Sequence, residues 1–192
     1  MDFASQIRPS DPIAAGLLIW DRLAVTDILH RYCHALDRRD FTLMASCFHH
    51  DATMQYMTEE ITCAAFIDFA KHMASMLRWT IHQLSNCTIS IESETAATES
   101  YVFAYHRIPA DAQGDYFFRL NGSEQIALVA CRYVDRFERR EGLWKIAHRT
   151  IPVFDNVEYW SPDNGGFFES ADYRSKALGQ ADPGYILTDG WR

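Results

Sequence analysis

Two short stretches of the chain carry side chains suited to acid–base chemistry. The first runs from Tyr32 to Asp37 and closes a segment with apolar residues at helical spacing. The second runs from Trp79 to Leu84 and holds one imidazole, His82, in a strand-like pattern. A histidine oriented by a carboxylate in an apolar pocket is a general base that can abstract a proton without a cofactor. The two stretches therefore predict this chemistry if the fold brings Asp37 to His82.

Helices are predicted in the first part of the chain. Residues 21–36 place apolar side chains three and four apart, which gives one stripe to bury. Asp40 is suited to cap a short helix over 41–48, because its carboxylate can accept from free backbone N–H groups. After a weak strand over 52–57, Thr62 is suited to cap a third helix that runs to about Leu77.

Strands are predicted in the second part, where β-branched and aromatic residues predominate. They cover 80–91, 98–108, 124–138 and 143–154. The segment 139–142 ends in a glycine and is typical of a hairpin turn. Three helices followed by hairpin-linked strands predict an α+β fold, with the helices on one face of a curved antiparallel sheet.

The composition favours one globular domain and argues against two classes of partner. The chain has 192 residues, of which 48% are hydrophobic, and this suffices for a sizeable core. Its 18 basic and 26 acidic residues give a net charge of -8, which repels nucleic acid. No apolar run reaches the roughly 18 residues that span a membrane, and residues 1–12 lack a signal-peptide pattern. The five cysteines form no CxxC pair, so we expect reduced thiols in a cytoplasmic protein.

Three adjacent residues resemble a metal site, but we expect them to have a structural role. His49, His50 and Asp51 are adjacent, so their side chains point apart, and no matching ligand spacing follows. We expect them at a helix C-terminus, where imidazolium suits the helix dipole. No glycine-rich phosphate loop or nicotinamide fingerprint is present. The sequence therefore predicts neither a metal nor a cofactor.

Alternation along two strands predicts which side chains share a face. On the strand that starts near Trp79, one face carries Thr80, His82, Leu84 and Asn86. On the last strand, both faces carry side chains that are expected to pack against another part of the protein. One face has Lys145, Ala147 and Arg149, and the other has Trp144, Ile146 and His148. Because the helices can cover only one face, this pattern predicts a homo-oligomer, either a trimer or a dimer.

Three segments together resemble a known family. They are YCHALDRRDF at 32–41, TIHQLSN at 80–86 and RYVDRFERREGLWKIAHR at 132–149. In order and spacing they are similar to the SnoaL-like branch of the nuclear-transport-factor-2-like superfamily, over roughly residues 20–155. The branch includes scytalone dehydratase, hexachlorocyclohexane dehydrochlorinase and a bile acid dehydratase. The resemblance implies a cone-shaped α+β domain over 1–155, and we expect 156–192 to form a loop-rich aromatic flap over the pocket or a neighbouring subunit.

The resemblance also implies roles for individual residues. Asp37 matches the aspartate that orients the catalytic histidine in the dehydratase and dehydrochlorinase members, and His82 matches that histidine, the general base. Tyr32 and Arg149 match a pocket tyrosine and a pocket arginine of the bile acid enzyme, which implies substrate contacts.

Two further positions match scytalone dehydratase, and one departs from it. Tyr56 lies where that enzyme uses a tyrosine, and His106 lies close to its second histidine, so both are expected to bind substrate. Leu36 stands where that enzyme has a tyrosine beside its aspartate. The departure argues against a scytalone-type dehydration but leaves the Asp–His pair intact.

The resulting hypothesis is a cofactor-independent lyase acting on a hydrophobic aromatic or polycyclic small molecule. Elimination of water is the preferred reaction, while C–C cleavage, isomerisation and loss of halide use the same machinery. Two alternatives remain open. The chain is a non-catalytic binding protein of the same fold, or it is the structural small subunit of a ring-hydroxylating dioxygenase.

Overall fold

The computed structural model describes residues 11–56, 59–113 and 118–162, with the backbone alone at Tyr56 and at 151–155. The three helices are α1 (Pro12–Arg38), α2 (Phe41–Ser46) and α3 (Cys63–Met76). The strands are β1 (Phe48–Tyr56), β2 (Glu59–Thr62), β3 (Trp79–Glu92), β4 (Thr95–Ile108), β5 (Gln125–Arg140) and β6 (Leu143–Trp160). β6 thus continues five residues past the predicted domain end at residue 155, while residues 163–192 of the predicted flap lie outside the described residues.

The six strands form one sheet in the order β2-β1-β6-β5-β4-β3. The helices pack on this curved, unclosed sheet, which confirms the predicted α+β class. The sheet is mixed rather than antiparallel throughout, because β1 pairs with β6 in parallel. β1 and β6 are far apart in the chain. After β1 the chain forms β2, crosses over through α3 and forms β3, β4 and β5, and it then returns as β6 alongside β1 in the same direction.

Side-chain capping sets the start of each helix. Asp40 accepts from the Leu43 N–H at 2.9 Å and Thr62 accepts from the Ala65 N–H at 3.2 Å, so both predicted caps are confirmed. The predicted hairpin turn is also confirmed, because Gly142 has φ 79° and lies between β5 and β6.

Two segments near the N-terminal end differ from the prediction. α1 begins at Pro12 rather than residue 21, because Asp11 caps it and Pro12 occupies its first turn. The segment 12–20 is apolar throughout and so lacks the amphipathic pattern that marks a helix. His49, His50 and Asp51 lie in β1 rather than at a helix end, and the His49 Nε2–H donates to the Glu138 carbonyl at 2.9 Å.

Two bulges shift the predicted faces of the strands. In β3 the pairing register shifts between Leu84 and Cys87, so Asn86 is exposed instead of sharing the inward face of His82. In β6 the register shifts at Ala147, which puts Trp144, Ile146 and Arg149 all on the inner side. The pattern from which an oligomer was inferred is therefore absent. The homo-oligomer itself stays a prediction.

A buried ion pair lies at the centre of the sheet. Arg149 on β6 and Asp135 on β5 are both fully enclosed, and Nε and Nη2 of the guanidinium donate to the two carboxylate oxygens at 2.6 and 2.9 Å. The guanidinium carbon lies 4.1 Å from the Tyr32 ring centroid and 4.4 Å from that of Tyr133. Burial raises the pKa of Asp135, and the positive charge of Arg149 opposes that rise. The carboxylate therefore depends on its arginine to stay ionised.

We expect Arg149→Met to lower the free energy of unfolding by about 3–5 kcal/mol, because it leaves the Asp135 carboxylate buried without a cation. The matched control is Arg136→Met, which removes an arginine from an exposed pair with Glu138 and is expected to cost less than about 1 kcal/mol. Urea unfolding followed by circular dichroism measures both. Equal losses in the two variants would contradict the importance assigned to the buried pair.

Candidate active site

The end of α1 is tied to the start of β3, and this tie positions Asp37. α1 ends at Arg38, and the next residue, Arg39, caps it with a left-handed backbone (φ 59°) that reverses the chain. The Arg39 side chain donates through Nη2 to the carbonyls of Leu77 and Arg78, at 2.6 and 3.2 Å. Since β3 begins at the next residue, the last turn of α1 lies alongside its first residues. Asp37, in that last turn, faces β3.

Asp37 and His82 are joined by two hydrogen bonds. The His82 Nδ1 lies 2.6 Å from Asp37 Oδ1, and the His82 backbone N–H donates to Oδ2 at 2.9 Å. Thr80 Oγ1 also donates to Oδ1, at 2.9 Å. The side chains of His82 and Asp37 are only 7% and 8% exposed. Because the carboxylate accepts, Nδ1 carries a proton, so that in the neutral form of the imidazole the lone pair lies on Nε2.

His82 lines a pocket that is partly open to solvent. The helical side of the pocket is apolar and is formed by Leu36, Phe66, Phe69, Ala70, Met73, Ala74 and Leu77. The polar groups lie on the opposite side, with Tyr32 from α1 and the others from the sheet: Thr80, His82, His106 and Tyr133. Among the described residues that line the pocket, none is Lys, Arg, Asp or Glu. Such a pocket suits an uncharged, largely apolar molecule.

Two phenols line the pocket in front of the buried ion pair. The rings of Tyr32 and Tyr133 meet edge to face, with centroids 5.8 Å apart. Burial raises the pKa of both hydroxyls well above the ordinary value, although Arg149 acts against this rise. Both phenols are therefore protonated at neutral pH and are hydrogen-bond donors rather than bases.

His106 lies next to His82. The two imidazole rings meet edge to face at 5.4 Å, and the Phe118 ring lies 4.7 Å from His106 on another side. Burial, reinforced by the nearby His82, lowers the pKa of His106 to about 3. Its Nδ1 is buried and has no hydrogen-bond partner among the described residues. His106 is therefore a neutral imidazole at the pocket wall.

Arg149, which was expected to bind substrate, does not line the pocket, and the expected contact of Tyr56 is not tested. Arg149 has no exposed surface and is not among the residues that line the pocket, because Asp135 and the rings of Tyr32 and Tyr133 enclose it. Tyr56 ends β1 with its backbone opposite Ile151 and Glu59, and its side chain lies outside the described residues. Tyr32, His82 and His106 thus come together in the pocket with Asp37 behind them, and Arg149 does not reach it.

The cysteines and acidic groups offer no second kind of chemistry in the described residues. Burial raises the pKa of Cys33 to about 12 and those of Cys47 and Cys63 to about 11, so these thiols are not nucleophiles at neutral pH. Within residues 11–56, 59–113 and 118–162, no group of three or more His, Cys, Asp or Glu side chains could hold a metal ion. Of the helices in the same part of the chain, none combines the length and the apolar character that crossing a membrane requires.

Tyr133 and Asp135 were not predicted, although a signal for them exists. β5 alternates strictly, and its inward residues are Gln125, Ala127, Val129, Cys131, Tyr133, Asp135 and Phe137. A carboxylate inside such an apolar series needs a buried cation. The same alternation puts Tyr133 on the pocket side, two residues before it.

A comparison with protein-family models identifies the family. The model of a SnoaL-like domain matches residues 18–150, from α1 into β6. No curated protein matches this chain.

Solved structures with the same fold include three bacterial proteins. A proposed scytalone dehydratase from Novosphingobium aromaticivorans is 19% identical, with 76% of this chain and 91% of that chain covered and a TM-score of 0.60. Hexachlorocyclohexane dehydrochlorinase LinA-type3 from Novosphingobium barchaimii is 15% identical, with 76% and 93% covered and a TM-score of 0.61. The Kfla4162 protein from Kribbella flavida is 19% identical, with 73% and 95% covered and a TM-score of 0.63. These identities extend the likeness to the fold alone, and the domain match supplies the family: the chain belongs to the SnoaL-like family of the nuclear-transport-factor-2-like superfamily.

Proposed function

We propose that the chain is a cofactor-independent lyase that acts on an uncharged aromatic or polycyclic molecule. The observation that carries this proposal is the His82 imidazole held by Asp37 at the wall of an apolar pocket. Two proteins of the same fold are named for eliminations, one as a proposed dehydratase and one as a dehydrochlorinase. Their names favour an elimination over other reactions that begin with loss of a proton.

The reaction begins when His82 Nε2 takes a proton from a carbon next to an electron-withdrawing group. The electrons of the C–H bond form a C=C bond, the C–O bond on the neighbouring carbon breaks, and the hydroxyl leaves as water with the proton that His82 returns. Asp37 stabilises the imidazolium that forms between these steps. With a halide as the leaving group, the carbon–halogen bond breaks to release the halide ion and His82 passes its proton to water, while isomerisation returns the proton to a different carbon.

The remaining polar groups bind the substrate. Tyr32 and Tyr133 are phenol donors that can stabilise negative charge on a substrate oxygen. Neutral His106 forms part of the pocket wall beside His82. Arg149 supports the two phenols from behind rather than contacting substrate. The contact of Tyr56 with substrate stays a prediction.

A non-catalytic binding protein is the second candidate, since the apolar helical wall of the pocket would serve ligand binding equally well. The Asp37–His82 bond favours the enzyme, because a binding protein does not need a fixed imidazole tautomer. The dioxygenase small subunit is disfavoured, since that alternative predicts no pocket with buried polar groups, whereas the buried Asp37–His82 pair lies at the wall of one here.

The first prediction tests the base with β-tetralone, an uncharged two-ring ketone with acidic α-protons. We expect the protein to catalyse exchange of these protons in deuterated water, followed by proton NMR. His82→Gln and Asp37→Asn should each lower the exchange rate by about a hundred-fold or more, because the first lacks the base and the second its orienting carboxylate. His72→Gln on the exposed side of α3 is the control and should exchange at the wild-type rate.

Elimination is tested with a hydroxylated derivative of β-tetralone, in which the hydroxyl group is on the ring carbon β to the carbonyl. Loss of water from this compound gives β-naphthol, which is fluorescent. Thermal stabilisation by the ketone separates binding from chemistry, since His82→Gln should still bind it. Full exchange activity in His82→Gln or Asp37→Asn would refute the proposed mechanism. Binding to the wild type with neither exchange nor elimination would favour the binding protein.

A further prediction concerns the stability of the folded protein in acid. The pKa of His106 in the folded protein is about 3, below the ordinary 6.5, so the unfolded chain takes up this proton first as the pH falls. The free energy of unfolding should therefore fall below about pH 6.5, with a contribution from His106 of up to about 1.4 kcal/mol per pH unit. His106→Asn, which does not titrate, should show a shallower fall between about pH 7 and pH 5, while the control His72→Gln keeps the wild-type slope. Urea unfolding at several pH values measures this, and equal slopes for wild type and His106→Asn would contradict the burial of a neutral imidazole.

A further inference from the structure

The Asp37 carboxylate accepts three hydrogen bonds, and one of them comes from a residue with no assigned role. Thr80 Oγ1 donates to Oδ1 at 2.9 Å, and the same oxygen accepts from His82 Nδ1 at 2.6 Å. The other oxygen, Oδ2, accepts from the His82 backbone N–H at 2.9 Å. Each oxygen is thus bonded to a group of β3 that is independent of the imidazole ring.

These two independent bonds fix the plane of the carboxylate. Rotation about the Cβ–Cγ bond of Asp37 would break the bond from Thr80 to Oδ1 and the bond from the His82 backbone to Oδ2 together. Threonine is suited to this task because its β-branch restricts χ1 and so restricts the direction of the hydroxyl. Oδ1 is therefore already in place when the His82 ring donates to it.

Packing alone does not account for a hydroxyl at this position. Thr80 lines the pocket beside His82, where valine has the same shape and would complete the wall. The polar atom that distinguishes threonine from valine is the one that contacts Asp37. The hydroxyl thus serves the carboxylate rather than the pocket wall.

We propose that Thr80 is a positioning residue for the general base: its hydroxyl fixes the Asp37 carboxylate so that His82 keeps its proton on Nδ1 and presents the Nε2 lone pair to the pocket. The catalytic part of this inference rests on the proposed function. The hydrogen-bond part does not, because it can be measured in the free protein.

The first experiment compares Thr80→Val with Thr80→Ser in protein labelled with ¹⁵N at histidine. Proton NMR reports the Nδ1–H of His82, assigned by its loss in His82→Gln. In Thr80→Val we expect this proton to exchange with water about ten-fold faster, because the carboxylate that holds it has lost a fixed donor. Thr80→Ser keeps the hydroxyl and should retain the wild-type rate within about two-fold. A wild-type exchange rate and chemical shift in Thr80→Val would overturn the proposal, and Thr80→Ala gives the same comparison if circular dichroism shows that Thr80→Val does not fold.

The second experiment measures β-tetralone exchange kinetics in the same variants. Thr80→Val should lower kcat about ten-fold and leave KM within about two-fold, with recovery in Thr80→Ser, because orientation of the base matters to the reaction and not to binding. If His82→Gln is inactive while Thr80→Val keeps the wild-type kcat, the positioning role is overturned and the proposed function stands. If His82→Gln is fully active, the proposed function fails, whatever the NMR experiment shows.

Discussion

The buried ion pair between Arg149 and Asp135 is the interaction on which the rest of the structure depends. It puts a positive and a negative charge on adjacent strands in a place without water, where each is tolerable only because the other is present. The guanidinium also lies against the rings of Tyr32 and Tyr133, so it links α1 to the middle of the sheet. The pocket is built on the far side of those two rings. The charge of Arg149 thus stabilises the fold, and the phenols of Tyr32 and Tyr133 line the pocket instead.

The elements around the pocket therefore contribute different kinds of side chain. The sheet and the last turns of α1 supply the polar groups, each fixed by a bond to another part of the fold: Asp37 by β3, His82 by Asp37, and Tyr32 by its contact with Arg149. α3 supplies apolar surface alone. Because the polar groups sit on strands and at a helix end that are tied together, their geometry varies little when a ligand enters.

How far the sequence predicts this structure depends on the kind of feature. Local signals were sufficient for the caps at Asp40 and Thr62, and for the turn at Gly142, since each arises from one residue's own chemistry. The meeting of Asp37 with His82 joins residues 45 positions apart and was expected through the family resemblance. The bulges in β3 and β6 were not predicted, because one extra residue in a strand leaves no compositional mark. They decide which residues face the core, and the bulge in β6 turns Arg149 to the inner side, where Asp135 and the rings of Tyr32 and Tyr133 enclose it.

The apolar helix α3 has a consequence for how new specificities arise in such a protein. Its inward residues, among them Phe66, Phe69 and Met73, form the wall of the pocket and make none of the hydrogen bonds that hold the base. Mutations along this one stripe can reshape the space for a ligand while the hydrogen bonds between Asp37 and β3 on the opposite side stay as they are. The shape of the pocket and the geometry of the Asp37–His82 pair can therefore change almost separately.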